Sequence, residues 1–215
     1  MEVLEEFLSV QGEGTLVGTP AYFVRLARCN LRCPWCDTKY SWGPGREVSP
    51  SEVAERVLSS GAPLVVVTGG EPLLQQEEVA LLVRELLKRG FEGTVQIETN
   101  GTVYPKSLED LPVRVAVSPK VTCDYYFNDP ETVRRILETF ESELKLVLRA
   151  SDLECAKKFL KELGDVRRPV VLQPLHEGEG YAEAARALVE AVLKDKELIK
   201  RVRIIPQIHK FLNVP

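Results

Sequence analysis

Histidine is scarce in the 215-residue chain, which has only His176 and His209. That scarcity limits the metal sites available, because a structural zinc site wants four nitrogen or sulfur ligands, as two CxxC-like pairs or as a CxxC with a distant His pair. Long apolar runs are missing too: no stretch approaches the roughly 20 residues that cross a bilayer. The acidic start, Met1-Glu2-Val3-Leu4-Glu5-Glu6, is unlike the basic opening of a secretory leader. A cytoplasmic protein with no membrane partner is expected. Positive charge is not in surplus, since the formal net charge is -4 and the basic clusters, Arg167-Arg168 and Lys200 to Arg203, are short. This excludes the electrostatic footprint of a nucleic-acid or anionic-membrane binder. Repeats, linkers and low-complexity tracts are absent as well. With 44% hydrophobic and 28% charged residues, the composition suits one globular domain over residues 1–215 with a real core.

Cysteine is used unevenly. Of five cysteines, three fall within eight residues in Cys29-Asn30-Leu31-Arg32-Cys33-Pro34-Trp35-Cys36-Asp37-Thr38, at CxxxCxxC spacing. Thiolates held this closely can converge on an iron-sulfur cluster, whose irons are usually held by four of them, so three leave one iron open to chelate a small molecule. Two plainer readings compete. A zinc site would have to recruit from Cys123, Cys155, His176 and His209, which stand singly and far apart. Packed free thiols are the other, but Asn30, Arg32, Pro34 and Asp37 make this a polar loop. Cys123 and Cys155 are read as ordinary cysteines without a partner at ligand spacing. An odd number of cysteines, three of them in one loop, argues for a reducing compartment and metal chemistry over a disulfide framework.

Short apolar strands alternate with amphipathic helices along the chain. Strands are predicted at Ala21 to Leu26, Leu64 to Val67, Thr94 to Ile97, Val113 to Val117, Glu143 to Leu148, Pro169 to Leu172 and Val202 to Ile205. Ser49-Pro50-Ser51-Glu52 is a capping box with proline at the first helical position, opening a helix to about Ser60. Helices are further predicted from Gln76 to Arg89, from Asp129-Pro130 to about Phe140, after Ser151 with Glu154 as its cap, closed by Gly164, and from Tyr181 to Lys194. This order calls for a parallel sheet with outer helices, and about seven strands are too few to close an eight-stranded barrel. Six polar clusters follow strand ends: the cysteine loop, Thr68 to Pro72, Glu98 to Thr102, Ser118 to Lys120, Gln173-Pro174 and Gln207 to Lys210. In barrel-like α/β folds such ends gather around one site.

CxxxCxxC resembles the motif of the radical S-adenosylmethionine enzymes. Following a buried strand in such a chain, Thr68-Gly69-Gly70-Glu71-Pro72 is similar to the family's methionine-binding motif. Gly69 and Gly70 let backbone approach the methionine, and Glu71 would accept from its ammonium. Trp35 offers a ring for adenine, with Ser118, Lys120 and Gln173 on the ribose and carboxylate side. Adding Gln11-Gly12-Glu13-Gly14, Arg25, Glu98-Thr99-Asn100-Gly101-Thr102, Ser118-Pro119-Lys120 and Pro206-Gln207-Ile208-His209-Lys210, nearly the whole chain resembles the 7-carboxy-7-deazaguanine synthases.

That resemblance implies an open relative of the TIM barrel and a homodimer. It implies conversion of 6-carboxy-5,6,7,8-tetrahydropterin to 7-carboxy-7-deazaguanine with loss of ammonia, on the route to queuosine and other 7-deazapurines. The implied cofactors are a [4Fe-4S] cluster on Cys29, Cys33 and Cys36, S-adenosylmethionine, and Mg2+ on the Thr38 hydroxyl. S-adenosylmethionine would be met by Trp35, Cys36, Asp37, Gly69, Gly70, Glu71, Gly101, Ser118, Pro119, Lys120 and Gln173. Val10, Gln11, Gly12, Glu13, Arg25, Thr99 and the Pro215 carboxylate would contact the pterin. Arg25, a cation inside an apolar strand, needs an anionic partner: a protein salt bridge by default, the substrate carboxylate by resemblance. An electron donor such as a flavodoxin or ferredoxin is required. The alternatives are a glycyl-radical activase acting on a protein and a zinc-bearing binding module without turnover.

Overall fold

A computed structural model describes residues 1–175 and 180–215, so His176 lies outside the described residues. The strands are β1 (Glu2–Val10), β2 (Pro20–Leu26), β3 (Arg46–Glu47), β4 (Leu64–Gly69), β5 (Thr94–Thr99), β6 (Val113–Val117), β7 (Val121–Thr122), β8 (Tyr125–Tyr126), β9 (Glu141–Leu148), β10 (Val170–Pro174) and β11 (Val202–Ile204). The helices are α1 (Pro50–Ser60), α2 (Gln76–Lys88), α3 (Pro130–Thr139), α4 (Leu153–Leu163), α5 (Tyr181–Lys194) and α6 (Ile208–Leu212). Nine strands form one sheet in the order β11-β10-β9-β6-β5-β4-β2-β1-β3, with β11 and β3 as open edges. From β2 to β11 every neighbouring pair is parallel. These are the seven expected strands. The sequence reading did not include β3 or the antiparallel pairing of β1 with β2, nor the separate β7-β8 hairpin.

The two faces of the parallel strands differ in chemistry because successive side chains point to opposite faces. Tyr22, Val24, Leu26, Val65, Val67, Val95, Ile97, Val113, Val115, Val117, Leu144, Leu146, Leu148, Val170 and Leu172 join the helices in the main core. Leucine and valine from α1, α2, α3 and α4 pack onto them. On the alternate positions, Ala21, Phe23, Leu64 and Val66 make a second, smaller core. The rest of that face carries Arg25, Gln96, Glu98, Arg114, Glu143, Lys145 and Gln173, all on odd–even positions opposite to the main core. An open barrel with a polar inner wall results.

Local signals explain most boundaries. Ser49 and Glu52 form the expected capping box, with Glu52 N donating to Ser49 Oγ at 3.2 Å and Ser49 N donating to Glu52 Oε2 at 3.0 Å. Asp129 caps α3, accepting from Glu131 N and Thr132 N. Ser151 does not cap α4: Arg149 N donates to Asp152 Oδ2 at 3.0 Å instead, and a single 3-10 turn over Ala150–Asp152 precedes the helix. Cys123 and Cys155 also depart from expectation. They form a disulfide with Cα atoms 5.5 Å apart and 32 residues of separation, joining the β7-β8 hairpin to α4. Only packing brings them together, so their spacing carried no signal.

Candidate active site

The carboxyl ends of the parallel strands open into one cavity, and all six polar clusters reach it. Its lining includes Cys29, Cys33, Cys36, Thr68, Gly69, Gly70, Glu98, Thr99, Ser118, Lys120, Gln173, Gln207, His209 and Lys210. Val10, Gln11, Gly12, Glu13, Arg25, Trp35, Asp37, Thr38 and Pro215 line it too. Glu71, Gly101 and Pro119 are not in the lining.

The cysteine loop follows β2 and is tied down at both ends. Asn30 Nδ2 donates to Thr102 Oγ1 at 2.7 Å, and Asn100 Nδ2 donates to Asn30 Oδ1 at 2.9 Å. Arg32 N donates to the Tyr125 hydroxyl at 3.2 Å, while Tyr125 sits edge-on to Trp35 at 5.2 Å. Cys29, Cys33 and Cys36 are the free cysteines, unlike the disulfide pair. Burial pushes the Cys29 and Cys33 thiols above their ordinary range. A metal would hold them as thiolates. Among the described residues no three His, Cys, Asp or Glu side chains surround a single ion site. All three thiols border the cavity, and a cubane takes one thiolate on each of three separate irons, where a structural zinc gathers four donors on one ion.

The cofactor side fits as well. Gly70 N donates to Leu26 O at 3.0 Å and Glu71 N to Arg28 O at 2.8 Å, so this turn hugs the end of β2. A Cβ on Gly70 would overlap the Arg28 carbonyl, and Gly69 adopts φ 137°, which side chains avoid. Gln173 is 2% exposed, and its Oε1 has no hydrogen-bond partner although it borders the cavity. A buried amide oxygen left so awaits a donor. Lys120 folds back, with Nζ donating to Ser118 O at 2.8 Å and Ser118 Oγ at 3.1 Å.

Glu71 does different work from that expected. Its carboxylate is fully buried and accepts from Leu73 N at 3.0 Å, Thr99 Oγ1 at 2.7 Å and Asn100 N at 2.7 Å. Burial raises its carboxyl above the ordinary range even though the Asn100 and Thr99 bonds oppose this. The side chain braces the strand end that carries Thr99 into the cavity. Gly101, at φ 75°, makes the turn beyond it, where a Cβ would stand 2.8 Å from Val117.

The same cavity has a charged corner. Lys145 on β9, 4% exposed, pairs with Glu13 and stands 3.6 Å from Glu98. Gln11 Nε2 donates to Glu98 Oε1 at 2.9 Å, and Gln207 Nε2 donates to Glu13 Oε1. Burial alone would raise the Glu13 carboxyl. The Lys145 charge and hydrogen bond, aided by Gln207, outweigh it and hold the group at about 2. Arg25 Nε donates to Glu5 Oε1 at 2.6 Å, a protein partner, while the guanidinium also borders the cavity 5.7 Å from the Phe7 ring centroid. The chain's end closes this corner. Ile208 N donates to Gly12 O at 2.9 Å, His209 packs on Gly12 where a Cβ would overlap its imidazole, and Ser9 Oγ donates to Pro215 O at 2.7 Å.

Residues 24–191 match the Radical SAM superfamily. The 7-carboxy-7-deazaguanine synthase of Aquifex aeolicus is 38% identical over 98% of this chain and 92% of its own length. That of Methanospirillum hungatei is 35% identical over 100% and 86%. The chain belongs to the 7-carboxy-7-deazaguanine synthase family of radical SAM enzymes. The crystal structure of QueE from Escherichia coli superposes with a TM-score of 0.73 at 28% identity, over 96% of this chain and 93% of that one. The radical SAM family brings with it a [4Fe-4S] cluster and S-adenosylmethionine, and the three cavity thiols, the Gly69-Gly70 turn and the unpartnered Gln173 amide suit both.

Sequence reading assigned no role to Lys145, though it gave a signal: like Arg25, it is a cation inside an apolar strand, Glu143-Leu144-Lys145-Leu146-Val147-Leu148. Glu98 and Gln207 were visible only as members of polar clusters.

Proposed function

We propose that this chain, as one radical SAM domain over 1–215, converts 6-carboxy-5,6,7,8-tetrahydropterin to 7-carboxy-7-deazaguanine with release of ammonia in 7-deazapurine biosynthesis. The observation that carries the reading is a single cavity lined both by three free thiols and by the Glu13, Glu98 and Lys145 corner. Cys29, Cys33 and Cys36 would hold the cluster. Bound there, the cluster and S-adenosylmethionine would supply radical hydrogen-abstraction chemistry. The flat Gly69-Gly70 backbone receives the methionine end, and Trp35, Ser118, Lys120 and Gln173 line the nucleoside side. Glu13 and Gln11 meet the aminopyrimidine edge, since a carboxylate accepts paired N–H donors as it does from a guanidinium. Arg25 offers its terminal nitrogens, which take no partner among the described residues, to the substrate carboxylate. The Thr38 hydroxyl, 3.6 Å from Cys36 Sγ, would place a Mg2+ beside that carboxylate. Pro215, whose O accepts from Ser9 Oγ at 2.7 Å, borders the same pocket.

Besides the pterin, the partners are a reducing flavodoxin or ferredoxin and a second copy of the chain, in the cytoplasm; among the described residues no helix is long and apolar enough to cross a membrane. Anaerobic reconstitution tests the reading. A brown protein with iron and sulfide near about four each, forming deazaguanine from carboxytetrahydropterin, reductant and S-adenosylmethionine, is expected. Cys33→Ala should lose both cluster and turnover. A colourless zinc-loaded protein, or full activity of that variant, refutes it.

A further inference from the structure

Most of the polar inner wall is paired off. Arg114 lies 3.6 Å from Glu143 and donates to Glu141 at 2.6 Å, and Glu143 also accepts from Thr15 N at 2.7 Å. This leaves Glu13, Glu98, Lys145 and His209 facing the cavity's pterin end. Two carboxylates there share one ammonium. Burial would favour a neutral Lys145, but the Glu13 and Glu98 charges outweigh it and keep the group cationic. His209 adds no fixed charge, since burial pulls its imidazole below the ordinary range although Glu13 opposes this. Glu13 and Glu98 thus meet on one ammonium, while the other cations of the lining nearby, Arg25 and Lys210, face Glu5 and Asp37. Lys145 itself comes from β9, packed in the sheet between β6 and β10. Glu13, by contrast, sits in the turn after β1, where Gln207 and Lys145 are the groups that bond its side chain. A carboxylate on a turn is thus anchored by an ammonium on a central strand.

We propose that Lys145 is the positioning residue of the pterin subsite: it aims the Glu13 carboxylate into the cavity, where that carboxylate accepts from a heterocycle edge presenting amino and ring N–H donors. Lys145 touches no substrate atom in this account. It acts through Glu13, and without it the buried carboxyl would be protonated and turn from acceptor to donor. The inference rests on the function proposed above.

The test uses holoenzyme with cluster and S-adenosylmethionine. Lys145→Met keeps length but not charge. Its KM for carboxytetrahydropterin should rise tenfold or more, with kcat and S-adenosylmethionine affinity changed less than about threefold. Lys145→Arg should recover much of the affinity. In the wild type, an analogue with an oxo group in place of the 2-amino group should bind at least tenfold more weakly. An unchanged pterin KM in Lys145→Met, equal loss of both ligands, or equal wild-type binding of the amino and oxo compounds overturns the proposal. The analogue measurement needs no variant, so it stands if Lys145→Met fails to fold. If the wild type turns over and Lys145→Met matches it, only this inference falls; if the wild type makes no deazaguanine, the proposed function falls first.

Discussion

Glu71→Gln separates two roles for the second half of the GGEP turn. If the carboxylate received the methionine ammonium directly, the amide would cost cofactor affinity and little stability. In the structure both oxygens are taken by Leu73 N, Thr99 Oγ1 and Asn100 N, with no exposed surface. A glutamine can keep its oxygen on the Leu73 and Thr99 donors, but its NH2 then faces the Asn100 N–H. One hydrogen bond to a charged acceptor, worth about 1.5–3 kcal/mol, is lost and a buried donor is left unsatisfied. Relief from burying a carboxylate offsets part of this. The net cost should be about 1–3 kcal/mol for glutamine. Alanine orphans all three donors and leaves a hole, so it should cost about 3–6 kcal/mol, a large share of the roughly 5–15 kcal/mol of a typical domain. The assay is anaerobic urea unfolding of each variant alongside calorimetric titration with S-adenosylmethionine. Both variants should lose stability in the stated order, and affinity should fall in step as Thr99 and Asn100 shift. Glu71→Gln with unchanged stability and abolished binding would refute the bracing role.

Gly12→Ala should push the His209 imidazole and α6 off the Gly12 turn, an overpacking cost of about 1–3 kcal/mol. A raised pterin KM and faster proteolysis of the chain's end are expected, and an unchanged KM would count against it. Cys155→Ser removes a crosslink that closes a loop of 32 residues, a loss of roughly 3–4 kcal/mol by chain-entropy reasoning; calorimetry should show a lower Tm that reductant no longer changes, and equal melting of variant and oxidised wild type would contradict the crosslink. Arg25→Ala should weaken the pterin by about tenfold or more, ~1.4 kcal/mol, while leaving S-adenosylmethionine within about threefold. Equal loss of both ligands would move Arg25 out of the substrate corner.

Much of the molecule was readable locally. Ser49 with Glu52, and Asp129 before Pro130, mark helix starts because they satisfy orphan backbone donors within a few residues. Leu64 to Val67 reads as a buried strand, and CxxxCxxC sets thiols close enough to share a cluster whatever surrounds them. The strand alternation also placed six polar clusters at one end of the sheet. Tertiary structure alone decided the rest. Cys123 meets Cys155 only when the β7-β8 hairpin lies on α4, and Glu71 becomes a brace only when β5 brings Asn100 over it. Lys145 needs Glu13 from 132 residues away. Capping and period-two burial are short-range forces written in neighbouring residues, whereas a buried charge is tolerated only by whatever partner the completed sheet sets beside it.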